Sequence, residues 1–366
     1  MLRGMTEAPH GFALPLFMIQ AIKAHLTRPA LLSVHPAGLT RLFPVDHSRE
    51  ECCSMSLPTK KKSGPAKSKW AKLYWAVPAA LVALLLVVLL AKWVTGLAGV
   101  KDFLAAYPGH TELPEGTPVG FPAWLAWQHF LNGFFLLLII RSGWQVRTQT
   151  RPAAYWTRNN RGLVRTRNAP TKISLALWFH LVLDALWILN GIVFAVLIFA
   201  TGQWARIVPT SWDVFPNALS AALQYASLNW PTENGWVNYN ALQLLTYFLT
   251  VFIAAPLAFI TGLRMSSAWP KNAKALNKAY PIEAARAVHF PVMIYFVAFI
   301  VVHVFLVLAT GALRNLNHMY GSSDDVSWVG FGIFAASVAV MVAGWFLARP
   351  LFLSPIASLM GKVSSR

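Results

Sequence analysis

Six apolar runs of about twenty residues or more punctuate this chain, at roughly 73–95, 122–142, 173–200, 240–264, 287–311 and 328–348, and each is long enough as a helix to cross a hydrocarbon core of about 30 Å. Between them lie short polar connections, with no stretch long enough for a separate water-soluble domain. An all-α integral membrane protein with six transmembrane helices is therefore expected. With 56% hydrophobic and 12% charged residues, the chain falls outside the range of ordinary soluble domains. A formal charge of +18 would point to nucleic acid in a soluble protein, but here the basic residues sit in the loops, where membrane topology accounts for them, so no nucleic-acid partner is expected.

Loop charge sets the orientation. Loop 143–172 carries Arg147, Arg151, Arg158, Arg161, Arg165, Arg167 and Lys172 without an acid, and the connection from Arg264 to Arg286 carries five basic residues against Glu283. These loops are expected in the cytoplasm. The alternate loops carry single bases, Lys101, Arg206 and Arg314, each outnumbered by acids, so both termini are expected inside. Residues 1–72 read as a disordered, basic N-terminal segment, with Met55 a candidate true start. Residues 73–121 read as the first transmembrane helix with an outer loop, and 312–366 as the sixth helix with a cytoplasmic tail. The long loop 201–239 is the expected docking place for a partner. The two cysteines, Cys52 and Cys53, are adjacent and outside every span; without a Cys-x-x-Cys, neither iron–sulfur ligation nor covalent haem attachment has support.

Four of the ten histidines fall inside spans: His129 in the second, His180 in the third, His289 and His303 in the fifth. Ionisable groups at such depth mark function. His289 and His303, fourteen residues apart, lie about 21 Å apart along one helix axis and within some 40° of the same face. The course of the spans then sets two level pairs: His180 with His289 near the cytoplasm, and His129 with His303 near the exterior. Facing side chains of a bundle core are how helical proteins hold haem, and two histidines on one iron leave no open position, so such a haem carries electrons.

One histidine on each of two successive spans and two more fourteen apart on a later span resembles the cytochrome b561 superfamily. The likeness is to its bacterial branch, the b-type cytochrome subunits of nickel-iron hydrogenase and formate dehydrogenase. Val288-His289-Phe290 through Val302-His303-Val304-Phe305, then Gly311 and Asn317-His318-Met319-Tyr320, carry the likeness. It implies a four-helix dihaem core over residues 122–311 in a bacterial cytoplasmic membrane. It further implies two haem b with His129, His180, His289 and His303 as axial ligands of the haem iron, quinone or quinol as redox partner, and a separate docked oxidoreductase subunit, a molybdenum enzyme or a hydrogenase-like one.

Other residues carry two readings each. Asp184, four residues after His180 on the same helix face, is either a proton acceptor for quinol or a structural hydrogen-bond partner. Arg141, Arg264 and Arg286, near cytoplasmic helix ends, are either haem-propionate contacts or interface anchors. Gly133 and Gly191 give either porphyrin room or close helix packing. His318, just past the fifth span, is a weak candidate for contact with quinone or metal and is expected to be solvated as a loop residue. The rival from another class is a transporter whose histidines relay protons or bind a metal ion, and it requires one continuous polar path. A haem-free anchor leaves the four histidines without a role.

Overall fold

A computed structural model describes residues 71–160, 170–230, 234–270 and 272–365; the expectations for residues 1–70, with Cys52, Cys53 and Met55, lie outside the described residues. Among the described residues six helices are long and apolar enough to cross a membrane. The first span is Ala71–Gly96, the second Ala123–Thr148, the third Leu175–Ala200, the fifth Ile282–Ala309 and the sixth Val329–Leu347. The fourth runs from Ala241 to Met265. The protein is a multi-pass membrane protein with a helical bundle, as the apolar runs predict.

Local chemistry sets several boundaries. Ser174 caps the third span, its hydroxyl accepting from the Leu177 amide, and Asn240 with Gln243 forms a reciprocal capping box at the start of the fourth. Pro256 removes the amide that would bond the Phe252 carbonyl. The fourth span meets this with a π-helical stretch, Leu249–Ala254, that ends one residue short of the proline, so one helix axis survives the lost hydrogen bond.

The second span packs along the third and the fourth along the fifth. At mid-depth, buried Ala254, Val292 and Phe296 pack with Leu136, Ile140 and Trp187, joining four spans in one apolar layer. The sixth span lies on the second: Gly344 faces Phe134 and Leu138, and a Cβ on Gly133 would press on the Met341 methyl at 3.2 Å. The helix-packing alternative therefore accounts for Gly133, while Gly191 faces open space. The first span stands apart, with most of its large apolar side chains more than half exposed, as lipid contact requires.

Two loops are more ordered than their sequences suggest. At the end bearing His180 and His289, strand β1 (Ala154–Arg158) pairs antiparallel with both β2 (Lys172–Ser174) and β3 (Gly361–Ser365), so the C-terminal tail is stitched to the loop between the second and third spans. At the opposite end, the connection expected to dock a partner folds back as a cap. Its turn Gln203–Arg206 and helix Val214–Ala226 lead to the fourth span, against which Val214 and Ala218 pack on Ala241 and Leu244.

Candidate functional site

The four span histidines occupy two levels separated by the apolar layer. At the level that the loop charges are expected to place outward, called outer below and its opposite inner, the rings of His129 and His303 stand 6.2 Å apart, centroid to centroid, inclined at 53°. His303 stacks on Phe299 at 5.4 Å and 8°, and Tyr247 meets it edge-on. The Nδ1 of His129 is 3.2 Å from the Tyr320 hydroxyl.

At the inner level each imidazole meets a hydroxyl and a glycine from the neighbouring helix. His180 Nδ1 lies 3.0 Å from Ser142 Oγ, and a Cβ on Gly143 would stand 3.1 Å from the same ring. His289 Nδ1 lies 2.8 Å from Thr261 Oγ1, and a Cβ on Gly262 would stand 3.6 Å from that ring. His180 and His289 are within electrostatic reach of each other. Two hydroxyl–glycine dipeptides, Ser142-Gly143 and Thr261-Gly262, thus seat the two inner rings. Sequence reasoning passed over both. The signal was there, a Ser/Thr-Gly step near the same end of the second and fourth spans.

The hydroxyls also fix the ring tautomers. Ser142 donates to the Ile139 carbonyl at 3.0 Å and Thr261 to the Leu257 carbonyl at 2.6 Å. With their protons committed there, both oxygens accept from Nδ1–H of the imidazole. Each inner histidine therefore presents an unprotonated Nε2, the form that ligates a metal. Asp184 Oδ2 lies 3.6 Å from His180 Nε2, beyond hydrogen-bond length, so the structural-hydrogen-bond alternative is not made there. Among the described residues no group of three or more His, Cys, Asp and Glu is arranged to hold a metal ion. The donor set suits a cofactor that brings its own equatorial ligands.

The three arginines expected at cytoplasmic helix ends are dispersed. Arg141 donates to Gln145 and lies over the Trp345 ring, Arg264 donates Nε–H to the Tyr280 carbonyl beside Trp269, and Arg286 is exposed.

At the outer end the structure corrects the reading of His318 as a solvated loop residue, for it is 2% exposed. The segment after the fifth span turns back as a short helix, Ala312–Leu316, and a π-helical turn, Asn317–Gly321, which carries His318 beneath Phe121 and Trp236. Its Nε2–H donates to Asp324 Oδ1 at 2.7 Å; Arg314 and Asn234 donate to the same carboxylate. Burial pushes the His318 imidazole below its usual value, with Asp324 acting against the shift. Desolvation works upward on Asp324, but the hydrogen bonds from His318, Arg314 and Asn234 outweigh it and hold the carboxyl below the usual range.

Both shifts oppose protonation in the folded state, and each sign follows. The unfolded chain takes up a proton on His318 near pH 6.5 while the folded chain resists it, so stability falls as pH drops from about 6.5. Asp324 adds a loss only below about pH 4. The apparent melting temperature is expected to decline between pH 7 and 5, and His318→Gln is expected to flatten that decline; an identical slope in the variant would assign it elsewhere.

Arg206, one of the bases that set the orientation, is the cap's buried centre at 2% exposure. Its guanidinium donates to the carbonyls of Pro118, Gly120, Gly235 and Trp236 and lies over the rings of Phe121 and Tyr239. Burial raises the Tyr239 phenol above its usual value, an effect Arg206 partly offsets.

Residues 120–322, more than half of the chain, match the prokaryotic cytochrome b561 family. A protein of Azospira oryzae, provisionally named protein-methionine-sulfoxide reductase subunit YedZ1, is 26% identical over 197 residues, which cover 51% of this chain and 88% of that relative. No solved structure matches the chain significantly. A helical membrane bundle with histidines paired at two depths and a match that takes in all four span histidines places this chain in the prokaryotic cytochrome b561 family, as a b-type membrane electron-transfer subunit.

Proposed function

We propose that the chain holds two b haems, one between His180 and His289 and one between His129 and His303, and passes electrons between the quinone pool and a separate oxidoreductase subunit. The observation that carries this reading is the arrangement of the histidines as two pairs on either side of an apolar layer. A metal–imidazole bond of about 2 Å, with a ring centroid about 1 Å behind the nitrogen, sets two rings on one iron about 6 Å apart. The outer pair, at 6.2 Å, has that spacing. The inner rings have the tautomer that ligation needs. When bound, each haem would supply a one-electron carrier, held by the two histidines of its level. The residues' own work is to orient the rings, exclude water and supply charge at the cytoplasmic end.

Arg141, Arg264 and Arg286 would supply positive charge to the propionates of the inner haem. Arg264 is two residues from Gly262, which touches His289. Asp184 puts a carboxylate beside the inner pair to receive a proton from quinol. Both termini face the cytoplasm by the loop-charge bias. The relative's name supports a separately encoded reductase as partner, of which a molybdenum enzyme is one class and a hydrogenase-like subunit another. Against a proton- or metal-translocating transporter stands the layer of Ala254, Val292 and Phe296, which interrupts any polar path from one pair to the other.

Purified protein is expected to show a reduced-minus-oxidised spectrum of low-spin b haem, with two haems per chain by pyridine haemochrome and reduction by a soluble menaquinol analogue. A colourless protein after expression with ample haem would refute the reading. A coloured protein that no quinol reduces would refute the quinone partner alone.

A further inference from the structure

The outer histidines differ from the inner ones in what orients them. Both inner rings give Nδ1–H to an aliphatic hydroxyl on a neighbouring span. His129 alone turns to a phenol, and that phenol comes from outside the four-helix core. Tyr320 is 9% exposed, its hydroxyl 3.2 Å from His129 Nδ1 and its ring edge-on to the imidazole at 5.6 Å and 85°, with Phe334 of the sixth span behind it.

Tyr320 is held unusually firmly for a residue between spans. It sits in the π-helical turn Asn317–Gly321, and π turns of this kind recur at functional positions. Asn317, 2% exposed, pins the turn: its side-chain oxygen accepts from Ser327 Oγ and from the Gly330 amide, and its side-chain nitrogen donates to the Asp325 carbonyl. Gly330 has no room for a Cβ, which would collide with the backbone of Leu316 and Asn317. Ser322 closes the turn with a left-handed backbone at φ +50°, a conformation that persists in a non-glycine residue only where its surroundings impose it. The sixth span, the turn and the phenol therefore form one rigid piece ending on His129.

We propose that Tyr320 is the positioning residue of the outer haem, holding His129 through Nδ1 and setting that haem's reduction potential relative to the inner one. This rests on the dihaem reading above. With Nε2 given to iron, Nδ1 carries the ring proton, and the phenol oxygen is the acceptor. An acceptor at Nδ1 moves electron density onto the ring and through Nε2 to the iron, which favours the ferric state. Removing it raises the potential of that haem and leaves the inner haem, seated on Ser142 and Thr261, unchanged.

The test is a potentiometric titration of the purified full-length protein, followed by visible absorption and by the low-spin signals in electron paramagnetic resonance, for wild type and Tyr320→Phe. The expected result is two haems per chain in both, with one midpoint moved upward and its low-spin signal displaced, and the other midpoint and signal unmoved. Two retained haems with neither midpoint moved would overturn the proposal, as would a shift in the haem that survives in His303→Ala. Should Tyr320→Phe lose one haem, Tyr320→Gln, which returns an acceptor oxygen, is expected to restore it; failure to restore it with the inner haem intact would also overturn the proposal. A wild type without haem would instead refute the dihaem reading, so the two failures are distinguishable.

Discussion

Pyridine haemochrome analysis of purified His303→Ala is expected to give one haem per chain where the parent gives two, and His289→Ala is expected to do the same while losing the other haem. The two residues lie on one helix about 21 Å apart, so each loss is local. The apolar layer of Ala254, Val292, Phe296 and Trp187 stands between the sites and does not depend on either imidazole. His129→Ala should reproduce the His303→Ala spectrum, and His180→Ala that of His289→Ala, because partners on one iron share a phenotype. The double variant His289→Ala/His303→Ala should be colourless, and His318→Ala should keep both haems. Two haems in either fifth-span variant would refute the pairing. Loss of both haems from each single variant would show the levels to be interdependent.

The second large effect is on stability. Arg206→Ala removes a donor from the carbonyls of Pro118, Gly120, Gly235 and Trp236; Gly120 keeps the Gln203 side-chain amide and Trp236 the Gly120 amide, but Pro118 and Gly235 lose their donor in a site closed by Phe121 and Tyr239. A buried acceptor stripped of its partner costs about 1–3 kcal/mol, and two are stripped here, so a loss of about 2–6 kcal/mol is expected. Arg206→Lys should recover little, because one ammonium has neither the reach nor the planar fork to serve two separate stretches of backbone. The readout is the apparent melting temperature in detergent, with haem content measured in parallel. The outer haem should be released at lower temperature than the inner, since the cap carries Trp236 against His318, two residues from the phenol that holds His129. A melting curve unchanged by Arg206→Ala would show that the cap contributes nothing to stability.

Much of this was legible in the residues alone. The apolar runs gave the spans to within a few residues, apart from a second span that continues to Thr148 and a fifth that begins at Ile282, where helices outlast the apolar stretch. The level of each histidine followed from counting along helices of known rise. What escaped was everything that depends on which neighbour a polar side chain meets. Ser142 and Thr261 look like ordinary small residues of transmembrane helices, yet each fixes the proton on an imidazole. Arg206 entered as a unit of loop charge and is the buried centre of a cap. His318 follows a span and so reads as solvated, but a π turn folds it back beneath Phe121 and Trp236 and brings Tyr320 to His129.

By itself the sequence determined the membrane class, the number of spans and the depth of each histidine. Those depend on hydrophobic length and on the fixed rise of a helix, both properties of one segment at a time. Only the tertiary structure decided the hydroxyl partners of His129, His180 and His289, the role of Arg206 and the stitching of the C-terminal strand to the loop between the second and third spans. Hydrogen bonds act over about 3 Å between residues as much as 201 positions apart, and no periodicity along the chain encodes which two will meet.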